Sequence, residues 1–201
     1  MKNAVINLFP TPIHIFNYEN HPDVLKCKSE LSAIFTDEQC VTTSDDLHLH
    51  EPFSKLSDII LKSIKDVFDQ YKLVRDDEYI TCMWANISDS TNKHMLHLHA
   101  NSFWSGVLYL NCPKPNPGVI GFRDPRHASH IQFFEYEEQN TFSMRTAEIM
   151  PEEGMLILFP SWLEHGVQSG EFSKYQRRIS LSFNIMPKCS VSDFSHQYRY
   201  I

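Results

Sequence analysis

The spacing of apolar positions changes near residue 77, and the change divides the chain into two kinds of structure. From Pro22 to Phe35, the residues Leu25, Leu31, Ile34 and Phe35 form a helical stripe that begins after Asn20. From about Pro52 to Leu73, the residues Phe53, Leu56, Ile60, Ile64, Val67 and Tyr71 recur at steps of three and four. That spacing stacks side chains on one face of a helix, so each predicted helix has one face to bury. Beyond Asp77 the period shortens and β-branched and aromatic residues dominate. Strands are predicted over Tyr79 to Ile87, Trp104 to Asn111, Val119 to Phe122, Ile131 to Tyr136, Thr141 to Ile149, Met155 to Phe159 and Arg178 to Ile185. Leu8 to Phe16 also reads as strand, but Pro10 and Pro12 cannot donate to a ladder, which assigns the segment to a sheet edge.

All six glycines fall between Gly106 and Gly170, where the chain must be dense in turns, bulges and close backbone approaches. Helices followed by many short strands predict an α+β, mainly β fold: a double-sheet jelly roll with N-terminal helices packed on one sheet. A length of 201 residues suits one domain, with helical support over 20–75 and a β core over about 79–186.

Charge and cysteine content narrow the function. A net charge of −7 argues against a broad phosphate-binding surface, so no nucleic acid partner is expected. The longest apolar runs, such as Met155 to Pro160, are too short to cross a bilayer, and the first residues lack a secretory pattern. A soluble cytoplasmic protein with no membrane partner is therefore expected. Five cysteines, odd in number and without a CxxC pair, read as free thiols. The edge strand near the N-terminus could pair with a copy of itself, which would make a homodimer.

The unusual count is eleven histidines. In His97-Leu98-His99, residues two apart on an extended chain point to the same side, so two imidazoles can reach one metal ion while Leu96 and Leu98 face away. The same triplet recurs at His48-Leu49-His50, but in a polar stretch just before the second helix, and it reads as a loop that binds nothing. His14, His21, His127, His130 and His196 stand isolated and read as surface or hydrogen-bonded residues. A third imidazole is expected from His165, which follows the Pro160-Ser161 turn and opens a short strand toward Val167.

Further on, Arg178, Ser180 and Ser182 share one face of an alternating strand, with Ile179, Leu181 and Phe183 on the other. A guanidinium on such a strand needs a partner, because burying it unpaired is costly. Arg178 with the Ser180 hydroxyl offers a planar fork and a second donor for a carboxylate.

Taken together, His97-Leu98-His99, His165 and Arg178-Ile179-Ser180 resemble the signature of the Fe(II)/2-oxoglutarate-dependent oxygenases. More narrowly, His97 to Ser102, Ser105 to Leu110, Phe122 to Arg126, Leu158 to His165 and Arg178 to Asn184 are similar to a little-characterised oxygenase family of bacteria and phages. The resemblance covers about Tyr79 to Met186. It implies a cupin-like double-stranded β-helix that uses Fe(II), 2-oxoglutarate and O2 as a dioxygenase, hydroxylating its substrate with release of succinate and CO2. It further implies that Arg178 and Ser180 bind the distal carboxylate of 2-oxoglutarate, with Tyr109 adding a hydroxyl from a facing strand.

One position departs from the family pattern. Where most members carry Asp or Glu, this chain has His99. Either His99 is the third ligand or Asp124 reaches the metal from a neighbouring strand, and His99 is preferred because a pair on one strand face needs no special folding. Trp84, Asn86, Asn101 and Trp104 are candidate pocket residues for a small-molecule or peptide substrate. Two other readings compete: a cupin-like metal enzyme that does not use 2-oxoglutarate, and a non-catalytic binding module whose contact surface is Trp84, Phe103, Trp104 and Trp162.

Overall fold

The computed structural model describes residues 4–34, 40–126, 131 and 134–189. Strand β1 (His14–Asn17) leads into α1 (Pro22–Ile34), and β2 (Val41–Thr42) and a short 3-10 turn (Leu47–Leu49) precede α2 (Phe53–Gln70). There follow β3 (Asp77–Ser88), β4 (His94–His97), β5 (Trp104–Asn111), β6 (Pro115–Asn116) and β7 (Ile120–Arg123). The remaining strands are β8 (Thr146–Ile149), β9 (Met155–Pro160), β10 (His165–Val167), β11 (Glu171–Phe172) and β12 (Arg178–Lys188). A major sheet takes the order β1-β9-β5-β12-β3-β2 and a minor sheet the order β4-β10-β7-β8. Every ladder in both sheets is antiparallel.

Strand alternation builds two cores. On β12, Ile179, Leu181, Phe183 and Ile185 join Met83, Ala85 and Ile87 of β3 and Leu108 and Leu110 of β5 beneath the helices. The opposite face of β5 sends Val107 and Tyr109 into a second cluster with Ile120, Phe122, Ile157 and Phe159, between the two sheets. Gly106 makes the first core possible at its centre, since a Cβ there would stand 2.7 Å from both Leu158 and the Phe183 ring. α2 closes that core with Phe53, Leu56, Ile60, Ile64 and Val67, each at most 4% exposed. Removing each such side chain from water contributes about 1.5–3 kcal/mol.

Several sequence expectations need correction. Tyr71 caps α2 just beyond its last turn and is 46% exposed, so the apolar stripe ends at Val67 and Phe68. On α1 the buried face is Val24, Cys27 and Leu31, with Cys27 serving as a small apolar residue; Leu25 and Ile34 are exposed, and Phe35 lies outside the described residues. The strand expected over Ile131 to Tyr136 is not formed by its described members, and positions 132 and 133 lie outside them, as do His127, His130 and His196. Thr141 to Ile149 forms strand only from Thr146, since the Asn140 carbonyl accepts from the amides of Ser143 and Met144 in a preceding turn. Aromatic residues suggested strands there, yet Phe134, Tyr136 and Phe142 are 64%, 53% and 75% exposed and cover no sheet.

Candidate metal centre

Three imidazoles converge between the sheets. β4 and β10 pair so that His97 and His165 are Cα partners, with ring centroids 4.4 Å apart. His99 lies two residues beyond β4, where its amide donates to the Ser161 carbonyl at 3.0 Å. Ser161 is itself fixed, fully buried, by hydroxyl contacts to Ser105 and Ser102 at 2.8 and 3.0 Å. The turn after β9 thus carries His165 and also positions His99. One ring nitrogen from each of His97, His99 and His165 lies within 4.8 Å of the other two.

The imidazole tautomers are set by the backbone. His97 Nδ1 donates to the Met95 carbonyl at 2.8 Å and His165 Nδ1 to the Leu163 carbonyl at 2.9 Å. Both bonds place the proton on Nδ1 and leave the Nε2 lone pair facing the cluster, the arrangement that orients metal-bound histidines. The His99 and His165 Nε2 atoms are 3.3 Å apart. Two nitrogens held at right angles by one ion, with bonds of about 2.1 Å, would stand about 3 Å apart, so the donor set fits a metal. Burial, with the nearby His97 ring second, lowers the His99 pKa to about 4. Burial also lowers His165 to about 4, against the pull of its bond to Leu163. Both are neutral, ligand-ready imidazoles at pH 7.

Asp124 is placed elsewhere. Its carboxylate accepts from the Arg126 backbone amide and from the Arg126 guanidinium, at 2.8 to 3.0 Å, and it does not belong to the three-histidine group. His48 and His50 also stand apart, in and after the 3-10 turn, with His50 Nε2 3.1 Å from the Asp46 carboxylate.

The same cavity extends from the histidines to Arg178, Ser180 and Tyr109, and it is also lined by Trp84 and Asn86. Arg178 is 3% exposed and donates to the Pro117 carbonyl at 2.7 Å and the Gln168 carbonyl at 3.4 Å. No carboxylate pairs with it among the described residues. Burial holds its pKa below the usual arginine range, and Tyr109 and Cys112 act against this. Tyr109 and Ser180 are Cα partners across β5 and β12, which brings their side chains to the same wall. Trp84 stands 5.9 Å from the His99 ring.

Two candidate pocket residues are not brought to the cavity. Trp104 faces the helical layer, where it packs on His14, Phe68 and Tyr71 at 5.5 to 6.3 Å. It sits five residues from Tyr109 on the same strand, so the two point to opposite faces. Asn101 is exposed, in the left-handed region at φ 58°, and serves the turn after His99. The sequence reading missed His94, Ser182 and an apolar wall of Val107, Ile120, Phe159 and Val167. Ser182 was legible from alternation with Arg178 and Ser180, whereas His94 was not, for a reason that depends on strand pairing.

The model of a family described as "Putative 2OG-Fe(II) oxygenase" matches residues 82–184, just over half of the chain. No curated protein sequence matches. Among solved structures, HygX from Streptomyces hygroscopicus with nickel and 2-oxoglutarate bound has a TM-score of 0.64 at 14% identity, covering 94% of this chain and 86% of that one. A prolyl-4-hydroxylase from Pseudomonas putida gives 0.60 at 13% identity, over 89% of this chain and 94% of that one. The viral collagen prolyl hydroxylase of Paramecium Bursaria Chlorella virus-1 gives 0.53 at 12% identity, over 86% and 94%. At these identities the likeness concerns the fold, a double-stranded β-helix. With five sequence motifs, this fold and the family match in agreement, the chain belongs to the 2OG-Fe(II) oxygenase family, enzymes that use Fe(II), 2-oxoglutarate and O2.

Proposed function

We propose that His97, His99 and His165 hold Fe(II), and that Arg178, Ser180 and Tyr109 bind 2-oxoglutarate, in a dioxygenase that hydroxylates a small-molecule or peptide substrate. Arg178 carries this reading: a buried guanidinium in the cavity of the three imidazoles donates to two backbone carbonyls and, among the described residues, to no acid. A buried cation without an anion is costly, and a dicarboxylate ligand supplies the missing charge.

Each residue then has a definite task. Nδ1–H bonds to the backbone hold His97 and His165 with Nε2 directed at the metal, and Ser161 anchors the segment that carries His99. Three protein ligands leave positions open for the co-substrate and oxygen. Arg178 offers its fork to the distal carboxylate, with the Ser180 and Tyr109 hydroxyls on the same wall. Val107, Ile120 and Phe159 exclude water from the stretch between the two ends. When bound, Fe(II), 2-oxoglutarate and O2 supply the oxidation of an unactivated C–H bond, coupled to release of succinate and CO2. Trp84, whose ring is 5.9 Å from that of His99, and Asn86, the Cα partner of Ser180, line the part of the cavity left for the prime substrate.

The five free cysteines suit a reducing compartment, which supports a cytoplasmic place of work. The outer edge of β1 offers the ladder through which a homodimer would pair. The test is an anaerobic Fe(II) titration with and without 2-oxoglutarate, followed by succinate measurement across a substrate library. A visible charge-transfer band that requires both Fe(II) and 2-oxoglutarate is expected, and it should weaken in Arg178→Ala. Tight Fe(II) binding with no band at saturating 2-oxoglutarate would refute the co-substrate.

A further inference from the structure

His94 lines the cavity although simple strand alternation sends it outward. It is three residues from His97, and on a regular strand residues three apart face opposite sides. The β4 and β10 ladder shows why it does not: His165 pairs with His97 and Val167 with His94, so β4 spends three steps against two on β10. This is a β-bulge, and the extra residue turns His94 back to the side of His97.

The bulge depends on the residue opposite it. A Cβ on Gly166 would stand 2.8 Å from the His94 carbonyl oxygen and 3.3 Å from the Leu96 amide nitrogen. Only a glycine at this position lets the bulged backbone approach β10.

Register also fixes the height of His94 in the cavity. Its partner Val167 is followed by Gln168, whose carbonyl accepts from Arg178. His94 therefore lies toward the Arg178 end, while His97 and His165 hold the metal end. Its ring has no hydrogen-bond partner among the described residues, and no carboxylate lines the cavity there. A half-buried imidazole with a free N–H, close to an arginine without an acid partner among the described residues, is suited to an anionic ligand shared by both.

Resting on the co-substrate reading above, the geometry points to His94 as a binding residue that donates a second hydrogen bond to the distal carboxylate of 2-oxoglutarate, opposite Arg178. The two donors approach from different sheets, Arg178 from the major and His94 from the minor. A carboxylate held between them bridges the sheets, so His94 selects for a 2-oxo acid that carries a second carboxylate.

The test compares 2-oxoglutarate with 2-oxobutyrate, which keeps the metal-chelating end and lacks the distal carboxylate. Binding of each to the Fe(II)-loaded protein is followed anaerobically by the charge-transfer band. His94→Phe keeps a ring of similar shape without the N–H, and His94→Gln restores a donor. His94→Phe should weaken 2-oxoglutarate by about tenfold to a hundredfold. Fe(II) affinity and 2-oxobutyrate affinity should stay within about threefold, and His94→Gln should recover most of the loss. Unchanged 2-oxoglutarate binding in a folded His94→Phe protein would overturn the role, as would an equal loss for both 2-oxo acids. If the wild-type protein binds Fe(II) but gives no band with either acid, the co-substrate reading itself fails, a result distinct from failure at His94. Should His94→Phe melt well below the wild type, His94→Leu replaces it in the same comparison.

Discussion

His97 and His165 face each other as Cα partners across β4 and β10, so one antiparallel pair brings together histidines 68 positions apart in the chain. Replacing either by Ala should abolish tight Fe(II) binding, measured by anaerobic calorimetry. His48→Ala and His50→Ala should bind Fe(II) as the wild type does, because His50 already faces Asp46 and neither ring belongs to the cluster. Loss of the metal from the second pair of variants, with retention in the first, would move the site.

His99 is the position at which the chain departs from the oxygenase signature that it resembles, which has an acid there. His99→Asp should retain Fe(II) better than His99→Ala, since a carboxylate can serve the same ion. Its activity should still fall, by about tenfold to a hundredfold, because the surroundings are arranged for an imidazole. Asp124→Ala should cost stability through its lost bonds to Arg126 and leave Fe(II) affinity unchanged. A folded Asp124→Ala protein without metal, beside a His99→Ala protein that binds normally, is the result that rejects the three-histidine set.

Arg178 is a buried cation with no acid partner among the described residues, and this burial costs the ligand-free fold. Arg178→Leu should therefore raise the unfolding free energy of the ligand-free protein, by about 1–3 kcal/mol, while 2-oxoglutarate binding is lost. Denaturant melts of the two proteins decide this. A marked drop in stability would show that the bonds to Pro117 and Gln168 support the fold more than burial of the charge opposes it.

Three residues along the same strand, the expected behaviour is the opposite. Leu181 is fully buried under the helices, and Leu181→Ala should cost about 2–5 kcal/mol. Below the shifted melting temperature, Fe(II) and 2-oxoglutarate affinities should match the wild type. Loss of ligand affinity at full folding would mean that the two faces of β12 are coupled.

Acid should destabilise the metal-free protein through His165, which is 4% exposed. Its folded pKa is about 4 and its unfolded value about 6.5, so between these limits the unfolded chain binds the extra proton. Stability from this group is complete above pH 6.5 and is lost as pH falls toward 4, to the extent of a few kcal/mol, roughly, at the lower limit. His165→Gln should flatten the slope of unfolding free energy against pH in that window. An unchanged slope would show that His165 is protonated in the folded state without cost.

Helix α2, strands β5, β9 and β10, and the division of β12 into two faces were legible because burial there follows local periodicity. The convergence of His97, His99 and His165 was legible in part from spacing, since residues two apart on an extended chain point to one side. The orientation of His94 was hidden because a bulge is a property of two paired strands, and the glycine that permits it lies 72 positions away. Trp104 was misplaced although the means to place it were present, since Tyr109 on the same strand fixes its parity. The segment around Phe134 and Phe142 has strand-like composition without a sheet to cover, a fact that only tertiary structure supplies.

The carbonyl oxygens of Met95 and Leu163 set the aim of two of the three imidazoles. A carbonyl is present whatever the side chain, so point substitutions cannot delete these two guides. Sequence drift at position 95, whose side chain is 74% exposed, is therefore free to alter the outer surface without disturbing the ring of His97. The orientation of the cluster is inherited through the path of the main chain, and it can persist while the residues around it are rewritten.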